Sequence, residues 1–285
     1  MNHWVSKLIL GVLFMDRLAV LLQHYTLSTE VFHTGQFCGQ AVYDSTHGFL
    51  HLLRSGAVRV TSDRHPPLDL NEPCLLLYPR QARHVFIAPE GKAADLICSR
   101  IDLGSVAGNP IARALPDILH IPLAKMPDMK TTLDLLVAES NGNLCGRQAA
   151  MNRLSELLLI HLLRYLMNGE SVSTGLLAGL ADKRLAKAIT AIHEQPAEAW
   201  TLEGMAEVAG MSRARFATVF RETIGCTPGT YLSAWRIDLA GKHLRHGKSV
   251  AWTADAVGYG SAAALARAFR MIRGLSPGQW LKTAE

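Results

Sequence analysis

The chain has 285 residues, of which 49% are hydrophobic and 19% are charged. This composition excludes a disordered chain, and the length suits one large or two ordinary domains. The net charge is +5, and it is unevenly distributed: residues 1–181 contain 15 basic and 15 acidic side chains, whereas residues 182–285 contain 14 basic and 9 acidic ones. The sequence therefore predicts a two-part protein with a neutral first part and a basic end.

The five cysteines are odd in number, widely spaced and without a CxxC pair: Cys38, Cys74, Cys98, Cys145 and Cys226. This pattern excludes a secreted disulfide framework and a zinc ribbon, and it predicts reduced thiols in a cytoplasmic protein. The apolar run at 8–14 is too short to cross a bilayer, and no small-residue cleavage site follows it. We expect no membrane partner, and we interpret residues 1–14 as a possible extension upstream of a natural start at Met15.

Residues 15–127 have the pattern of a β-domain. A short amphipathic helix is expected to begin at Met15 and Asp16. From Phe32 to Asp102, short apolar runs alternate with turns rich in glycine and proline, which is typical of a β-sandwich or small barrel. The predicted strands are 49–53, 57–60, 74–78, 84–88 and 95–101. Residues 109–127 are interrupted by prolines and are predicted to be an irregular connection.

Helices are predicted from residue 128 onward. The pair at 128–140 and 146–167 is apolar enough to pack on the β-domain and on a second copy of the chain, so we assign 128–168 as a dimerisation segment. Residues 169–180 contain three glycines and two serines and are predicted to be a flexible linker. The remaining predicted helices are 182–194, 202–209, 212–223, 228–244, 250–257, 261–272 and 277–283.

The helical end of the chain contains an internal repeat. Residues 201–232 align with residues 250–281 at a constant offset of 49 without gaps, and ten of the 32 positions are identical. Each copy has the pattern of helix, tight turn and helix, with Ser212 or Ser261 expected to cap the second helix through its hydroxyl group. The sequence therefore predicts two helix-turn-helix motifs, at 201–224 and 250–273.

The second helix of each motif is predicted to have an apolar inner face and a small or basic outer face. The inner residues are Phe216, Val219, Phe220, Ile224, Leu265, Ala268, Phe269 and Ile272. Small outer residues allow close approach to base edges, threonine can bond a base, and arginine binds guanine or phosphate. The predicted DNA-binding residues are Ser212, Arg213, Ala214, Arg215, Ala217, Thr218, Arg221, Ser261, Ala262, Ala263, Arg267 and Arg270. The alternative is that these arginines form an ordinary solvent-exposed basic face. The duplication, and the restriction of the excess positive charge to residues 182–285, disfavour this alternative.

The segments AEVAGMSRARFATVFRETIGCTP and ADAVGYGSAAALARAFRMIRGLSPGQW resemble the DNA-binding domain of AraC/XylS-type transcription regulators. The resemblance covers residues 182–282, about a third of the chain. It implies two lobes joined by a long helix at 228–244, whose second helices enter successive major-groove segments roughly 34 Å apart. It carries over the base-reading positions Ala214, Ala217, Thr218, Ala262, Ala263 and Arg267.

This sequence departs from the family pattern at several of those positions. Alanine stands where family members often have larger polar side chains, so direct readout is expected to rest on Arg213, Arg215, Thr218 and Arg267, with DNA shape contributing more of the specificity. Arg273 stands where the family commonly has an aromatic residue. The end of the second recognition helix is therefore the least typical part of the domain.

The first part of the chain more weakly resembles the cupin-like sensor domain of an AraC subgroup that includes reactive-chlorine-responsive regulators. The matching segments are MDRLAVLL at 15–22, FCG at 37–39, HLLRSG at 51–56, LLLYPRQARH at 75–84, LICSRIDL at 96–103 and NPIARALPDILHI at 109–121. A cupin barrel would place His51 and His84 on strands that face one cavity. The HxH of the first cupin motif is absent, so dioxygenase-type activity is not expected.

Two hypotheses follow for the sensor. In the redox hypothesis, Cys38 and Cys98 have depressed pKa values, are oxidised, and form a disulfide that shifts the DNA-binding lobes. In the ligand hypothesis, a small molecule or metal ion fills the barrel and contacts His51, His84 and the same cysteines. Each of these four side chains is also of a type that fills a protein core without any further role.

The sequence thus predicts an α+β protein of two domains that acts as a transcription regulator and not as an enzyme. The cupin-like β-domain is the sensor at 15–127, and the all-helical DNA-binding domain spans 181–285. The expected partners are promoter DNA, a second copy of the chain and, for an activator, RNA polymerase. No cofactor is expected beyond a metal ion or small ligand in the barrel. The competing interpretation is a cupin metal-binding protein or enzyme with a degenerate helical tail.

Overall fold

The computed structural model describes residues 16–103, 109–169 and 174–283, and these divide into two compact units. The β unit contains the described residues between 25 and 169, and the helical unit contains residues 16–24 and 174–283. The predicted extension at 1–14 lies outside the described residues. No helix within the described ranges is long and apolar enough to cross a membrane.

Two antiparallel sheets form the β unit. The strands are β1 (Ser28–Phe37), β2 (Gln40–Tyr43), β3 (Gly48–Ser55), β4 (Val58–Ser62), β5 (Leu68–Leu70), β6 (Cys74–Tyr78), β7 (His84–Ile87), β8 (Ala94–Asp102) and β9 (Leu119–Pro122). One sheet has the order β1-β8-β3-β6-β9 and the other β2-β7-β4-β5. Side chains alternate between the faces of a strand, so every second residue of β3, β6 and β8 points between the sheets. The predicted β-sandwich is confirmed.

The helices, numbered along the chain, are α1 (Ala19–His24), α2 (Pro110–Ala114), α3 (Lys130–Asn141), α4 (Arg147–Asn168), α5 (Leu176–Ala181), α6 (Lys183–Glu194), α7 (Leu202–Val208), α8 (Arg213–Ile224), α9 (Pro228–Arg245), α10 (Val250–Ala256), α11 (Ala262–Arg273) and α12 (Pro277–Lys282). In the β unit, α4 packs on β1 with its apolar face, which includes Leu158 and Leu162. Buried hydroxyls of Ser99 and Ser155, 3.1 Å apart, join β8 to α4.

Three expectations about the chain's organisation were wrong. The predicted linker at 169–180 includes helix α5, whose Leu177 and Leu180 are fully buried, because this apolar stretch packs in the helical unit. Residues 16–24 belong by their contacts to the helical unit rather than to the β-domain, since Arg17 Nη1 donates to Leu180 O over 2.6 Å. The region 109–127 contains α2 and β9, which pairs with β6, and is not irregular throughout.

Candidate functional site

Two similar helix pairs form the candidate DNA-binding surface. We call α7, α8 and their turn lobe 1, and α10, α11 and their turn lobe 2; α9 connects them. In each turn a glycine with positive φ follows the first helix, Gly210 at +64° and Gly258 at +82°. The next amide then bonds back to that helix, from Met211 N to Ala206 O in lobe 1 and from Tyr259 N to Ala254 O in lobe 2. The predicted helix-turn-helix geometry is present in both lobes.

The two second helices end alike but begin differently. Gly225 and Gly274 adopt left-handed conformations at the ends of α8 and α11, where glycine avoids a steric penalty. Ser261 caps α11 by accepting a hydrogen bond from Ala264 N over 3.2 Å. The equivalent Ser212 makes no such bond to α8, so the cap predicted there is wrong. Its hydroxyl is exposed and can bond water instead.

The predicted outer faces are accessible. Ten of the twelve predicted DNA-binding residues are exposed, and the other two, Ala217 and Ala262, are half-buried. The inner face is anchored by fully buried aromatic and aliphatic side chains, namely Phe216, Phe220, Leu265 and Phe269. Ile272 was expected to point inward, but 38% of its surface is exposed. The half-buried residue at this end of α11 is Arg273, which bonds Asp238 of α9.

Most arginines of the outer faces have no competing carboxylate. Arg213 forms an exposed ion pair with Glu203 of α7 at 3.0 Å. In the described part of the chain no acidic side chain pairs with Arg215, Arg221, Arg267 or Arg270. These four guanidinium groups are therefore available to phosphate oxygens or guanine edges.

Arg236 of α9 connects the loop before lobe 1 to the turn of lobe 2. Its Nε donates to Pro196 O and its Nη2 to Glu198 O, each over 2.7 Å, in the loop that precedes lobe 1. Its guanidinium also lies 5.8 Å from the ring centroid of Tyr259, in the turn of lobe 2. The sequence pattern did not indicate this role, because the partners are main-chain carbonyls far along the chain.

In the β unit, His51 and His84 meet between the two sheets as predicted for the sensor. Their Nε2 atoms are 2.9 Å apart, and both residues are buried. His84 Nδ1 must donate to Ala82 O, 2.8 Å away, because a carbonyl only accepts; His84 Nε2 then accepts from His51 Nε2. His51 Nδ1 is left as a buried acceptor with no hydrogen-bond partner among the residues that the structure describes.

Both imidazoles of this pair are neutral. Burial holds the pKa of His51 well below its usual range and lowers the pKa of His84 to about 4. An aromatic box, formed by the rings of Tyr43, Phe49, Tyr78 and Phe86, surrounds the pair. Tyr78 is stacked on His84 at a centroid distance of 3.9 Å. These rings pack directly against the two imidazoles, so the space around the pair is occupied by side chains of the protein.

The donor set does not fit a metal ion. Among residues 16–103, 109–169 and 174–283, no three His, Cys, Asp or Glu side chains converge in a way that would hold one. The metal version of the ligand hypothesis is therefore not supported by this arrangement, and the pair is an internal hydrogen bond between neutral rings.

The cysteine geometry disagrees with the redox hypothesis. Burial raises the pKa of the Cys98 thiol to about 12, opposite to the predicted depression, and its Sγ lies 3.7 Å from Tyr43 Oη. Cys38 is exposed and follows Phe37, whose cross-strand partner Ala94 is four residues from Cys98. At ~3.3 Å per residue Ala94 and Cys98 are about 13 Å apart, so Cys38, one residue beyond Phe37, is roughly 10 Å or more from Cys98, whereas a disulfide requires Cα atoms within about 7 Å.

An open cleft of about 480 Å³ lies where β2, β4 and β6 end and β7 begins. Its lining is Asp44, Ser62, Asp63, Arg64, His65, Tyr78, Arg80, Gln81, Ala82, Arg83 and Asp117. Arg80 is held by the carbonyls of Ala112 and Leu115 and by Asp117. Tyr78 and Ala82 both contact His84, so the floor of the cleft adjoins the buried histidine pair.

Comparisons with known proteins agree with the two-part fold. A family model described as Cupin matches residues 16–168, and one described as Helix-turn-helix domain matches residues 205–283. An uncharacterized HTH-type transcriptional regulator of Haemophilus influenzae is 30% identical over 84% of this chain and 88% of its own length. A putative AraC-like transcription regulator of Streptomyces lividans is 37% identical over 68% of this chain, and the match spans 66% of that relative. The RCS-specific HTH-type transcriptional activator RclR of Escherichia coli is 26% identical over 81% of this chain and 82% of its own length.

Proposed function

This chain belongs to the AraC family of transcription regulators and carries an N-terminal cupin domain, and we propose that a small polar ligand at the β unit controls its binding to promoter DNA. Its relatives and matched domains are those of transcription regulators, not of enzymes. The observation that carries the DNA-binding part is the pair of exposed outer faces on α8 and α11, built on one connecting helix.

Each outer face combines base reading with phosphate binding. Thr218 of α8 and Arg267 of α11 lie at the centres of the two faces, where a recognition helix meets base edges. Arg221 and Arg270, at matching positions one turn later, are suited to phosphate oxygens, whose binding releases counterions. The small side chains Ala214 and Ala263 allow both helices to approach the bases closely.

A gel-shift assay with the full chain and DNA from the region upstream of its own gene tests this surface. Arg267→Ala is expected to weaken binding by about 5- to 150-fold, because an arginine that contacts a base contributes about 1–3 kcal/mol. Lys187→Ala removes the same charge from an exposed position on α6 and should leave binding close to wild type. Folded wild-type protein that binds no DNA at low salt would refute the proposal.

The ligand part of the proposal rests on the cleft above His84. The residues Arg64, Arg80 and Arg83 line it together with Asp44, Asp63 and Asp117. Arg83 and Asp63 are separated by 3.8 Å and are half or more exposed, so a ligand can compete for both. This lining suits a small molecule with an anionic group beside a hydrogen-bond donor. Its effect would reach the interior through Tyr78, Ala82 and the histidine pair.

Thermal unfolding of the full chain, measured with a panel of amino acids, small carboxylates and phosphate esters, tests the cleft. A ligand is expected to raise the unfolding temperature of wild type but not of Arg83→Ala, since only the folded state binds it. Arg59→Ala is the matched control, because Arg59 is an exposed arginine on the neighbouring strand β4 that does not line the cleft. A shift that persists in Arg83→Ala would place the ligand elsewhere.

A second experiment, which measures DNA binding after oxidant treatment, separates the ligand proposal from the redox hypothesis. Treatment with hypochlorous acid should affect the DNA binding of Cys38→Ser and Cys98→Ala no differently from wild type, because the fold keeps these thiols apart and Cys98 protonated. Loss of an oxidant response in either variant would instead favour cysteine sensing.

We also propose that α3 and α4 form a homodimer interface. These helices and their connection leave large apolar side chains in solvent: Leu135 is 54% exposed, Leu144 76% and Leu157 36%. Light scattering after size-exclusion chromatography should show a dimer for wild type and a monomer for Leu135→Glu with Leu157→Glu. Lys130→Glu, about 140° from Leu135 on α3, is expected to leave the dimer intact.

A further inference from the structure

A buried ion pair joins the last residue of the second recognition helix to the connecting helix. Arg273 Nη2 donates to Asp238 Oδ1 over 2.6 Å, and their side chains are only 13% and 4% exposed. Arg273 ends α11, and Asp238 lies within α9. The pair therefore connects the helix that carries Arg267 and Arg270 to the helix that spans both lobes.

Lobe 1 has an apolar contact at the matching end of its second helix. The repeat offset of 49 relates Arg273 to Ile224 of α8, which lies near Ile189 of α6, the helix that precedes lobe 1 as α9 precedes lobe 2. Both isoleucine side chains pack against the α-carbon of Gly179, where an added Cβ would overlap Ile224 Cδ1 and lie 2.8 Å from Ile189 Cδ1. The same junction is thus apolar in lobe 1 and ionic in lobe 2.

Stability alone does not account for the ionic junction. The cost of removing two charges from water often cancels their attraction, so a buried ion pair is seldom more stable than the apolar pair that could replace it. An ion pair differs from an apolar contact in its directionality, because its hydrogen bonds hold only over a narrow range of angles and distances.

We propose that the Asp238–Arg273 pair is a positioning device that sets the rotation of the second recognition helix on DNA. The proposal rests on the DNA-binding surface proposed above. At 3.6 residues per turn, Arg273 lies about 60° from Arg270 and about 120° from Arg267 around α11, at the boundary between its inner and outer faces. A bond at this boundary resists rotation of the helix in both directions.

Small rotations matter at the DNA surface. Side chains extend about 6 Å from a helix axis, so a rotation of ~20° moves their ends by ~2 Å, enough to break a hydrogen bond to a base. Arg273 therefore acts through Arg267 and Arg270 and is not itself a phosphate contact. In lobe 1 the described contact at this end of α8 is apolar, and the last turn of α8 is held by a main-chain hydrogen bond from Gly175 N to Thr223 O over 2.7 Å.

Selection from a library of randomised DNA duplexes with the full wild-type chain is the first step of the test. It is expected to enrich a two-part site, and Arg267→Ala identifies the half that lobe 2 reads. The double variant Asp238→Leu with Arg273→Met then replaces the ion pair by an apolar contact like that of lobe 1. It should unfold at a urea concentration equal to or above that of wild type.

The positioning role predicts a specific loss in this stable variant. Its preference for the correct second half-site over a single-base substitution is expected to fall about tenfold, which is within the usual cost of one mismatch. Its preference at the first half-site should not change. Ile189→Leu with Ile224→Met is the matched control in lobe 1, and it is expected to preserve both preferences. Arg273→Lys keeps one charged donor and should retain more of the second-half preference than the double variant.

Each result decides between a positioning and a structural role. Wild-type discrimination at both half-sites in the folded double variant would overturn the inference, as would equal losses in Arg273→Lys and the double variant. A wild-type chain that enriches no two-part site would overturn the proposed DNA-binding surface instead, so the two failures are distinguishable.

Discussion

Lobes 1 and 2 have the same helix-turn-helix backbone conformation but differ in the side-chain contacts that stabilise it. Both have a positive-φ glycine in the turn, and both end the second helix on a left-handed glycine, Gly225 or Gly274. The frame is thus preserved by residues with special backbone requirements. The junctions behind the recognition helices have diverged, with an apolar contact in lobe 1 and the Asp238–Arg273 pair in lobe 2. A duplicated motif can therefore retain its geometry while its two copies acquire different tolerance to change.

The loops that precede the lobes differ in charge as well. Residues 194–200, before lobe 1, contain Glu194 and Glu198 and no lysine or arginine. Residues 243–249, before lobe 2, contain Arg245 and Lys248, with two histidines and no acidic residue. Since the first helix of such a motif crosses the DNA backbone, we expect lobe 2 to contribute more of the phosphate binding.

The largest expected effect comes from breaking the ion pair on one side. Arg273→Met leaves the Asp238 carboxylate buried without its guanidinium and should lower the free energy of unfolding by about 3–5 kcal/mol. The lobe 1 equivalent, Ile224→Val, should cost about 1 kcal/mol, because it removes one methyl group from an apolar contact. Urea denaturation of both variants measures the difference. Equal losses would show that the two junctions are energetically alike.

Replacing the turn glycine with alanine should cost more stability in lobe 2 than in lobe 1. An alanine Cβ at Gly258 would lie 2.7 Å from Ala197 Cα, whereas at Gly210 it would meet nothing within 4 Å. Gly210→Ala is expected to cost about 1–2 kcal/mol, the usual penalty for a left-handed residue with a side chain. Gly258→Ala should cost about 1–3 kcal/mol more, because the loop at 196–198 must shift. Thermal unfolding would contradict this if Gly210→Ala were equally or more destabilising.

Lowering the pH should lower the free energy of unfolding through His193 of α6, the helix before lobe 1. His193 stacks on Trp235 and is hydrogen-bonded to Tyr231 Oη over 2.7 Å. Burial lowers the pKa of His193 to about 3. The unfolded chain, with a histidine pKa near 6.5, binds this proton first, so its contribution to stability is present above pH 6.5 and falls as the pH drops toward 3.

At pH 5 this loss amounts to roughly 2 kcal/mol. His193→Gln should therefore lose less stability between pH 7 and pH 5 than wild type does, as measured by urea denaturation at each pH. Lys187→Gln, at an exposed position on the same helix, is the control and is expected to keep the wild-type acid slope. An unchanged slope in His193→Gln would show that His193 is not responsible.

The smallest expected effect concerns the charged loops. Lys248→Ala should reduce the slope of log affinity against log salt by about 1, the value for one lost phosphate contact. Glu198→Lys should increase that slope if the loop before lobe 1 also lies near phosphate. Lys187→Ala, on the exposed side of α6, is the control and should not change the slope. Salt titrations of DNA binding by the full chain measure all three.

The helical unit followed closely from the sequence. The predicted bounds of α6 to α12 agree with the structure within one or two residues, because caps, glycines and the repeat itself mark where each helix begins and ends. The outer faces of α8 and α11 were likewise predictable, since burial of Phe216, Phe220, Leu265 and Phe269 determines which side remains exposed. Within α6 to α12 the errors concern side chains near helix ends, at Ser212 and Ile272, because sequence periodicity there does not show which neighbouring segment a side chain contacts.

Strands were harder to predict than helices. β3, β4, β6, β7 and β8 were anticipated from their apolar runs, whereas β1, β2, β5 and β9 were not. β1 alternates buried with exposed residues and is irregular near Val31 and His33, so it has no continuous apolar run. Its place at the sheet edge depends on pairing with β8, some seventy residues away along the chain.

The sequence by itself determined the two-part organisation, the duplicated helix-turn-helix frame and the residues of its outer faces. These depend on periodicity and on backbone requirements that act over a few residues. Only the tertiary structure decided that Arg273 turns inward to Asp238, that Arg236 links the two lobes, and that Cys38 and Cys98 lie far apart. Each of these depends on contacts between distant segments, and such contacts follow from how helices and strands pack, which no local pattern encodes.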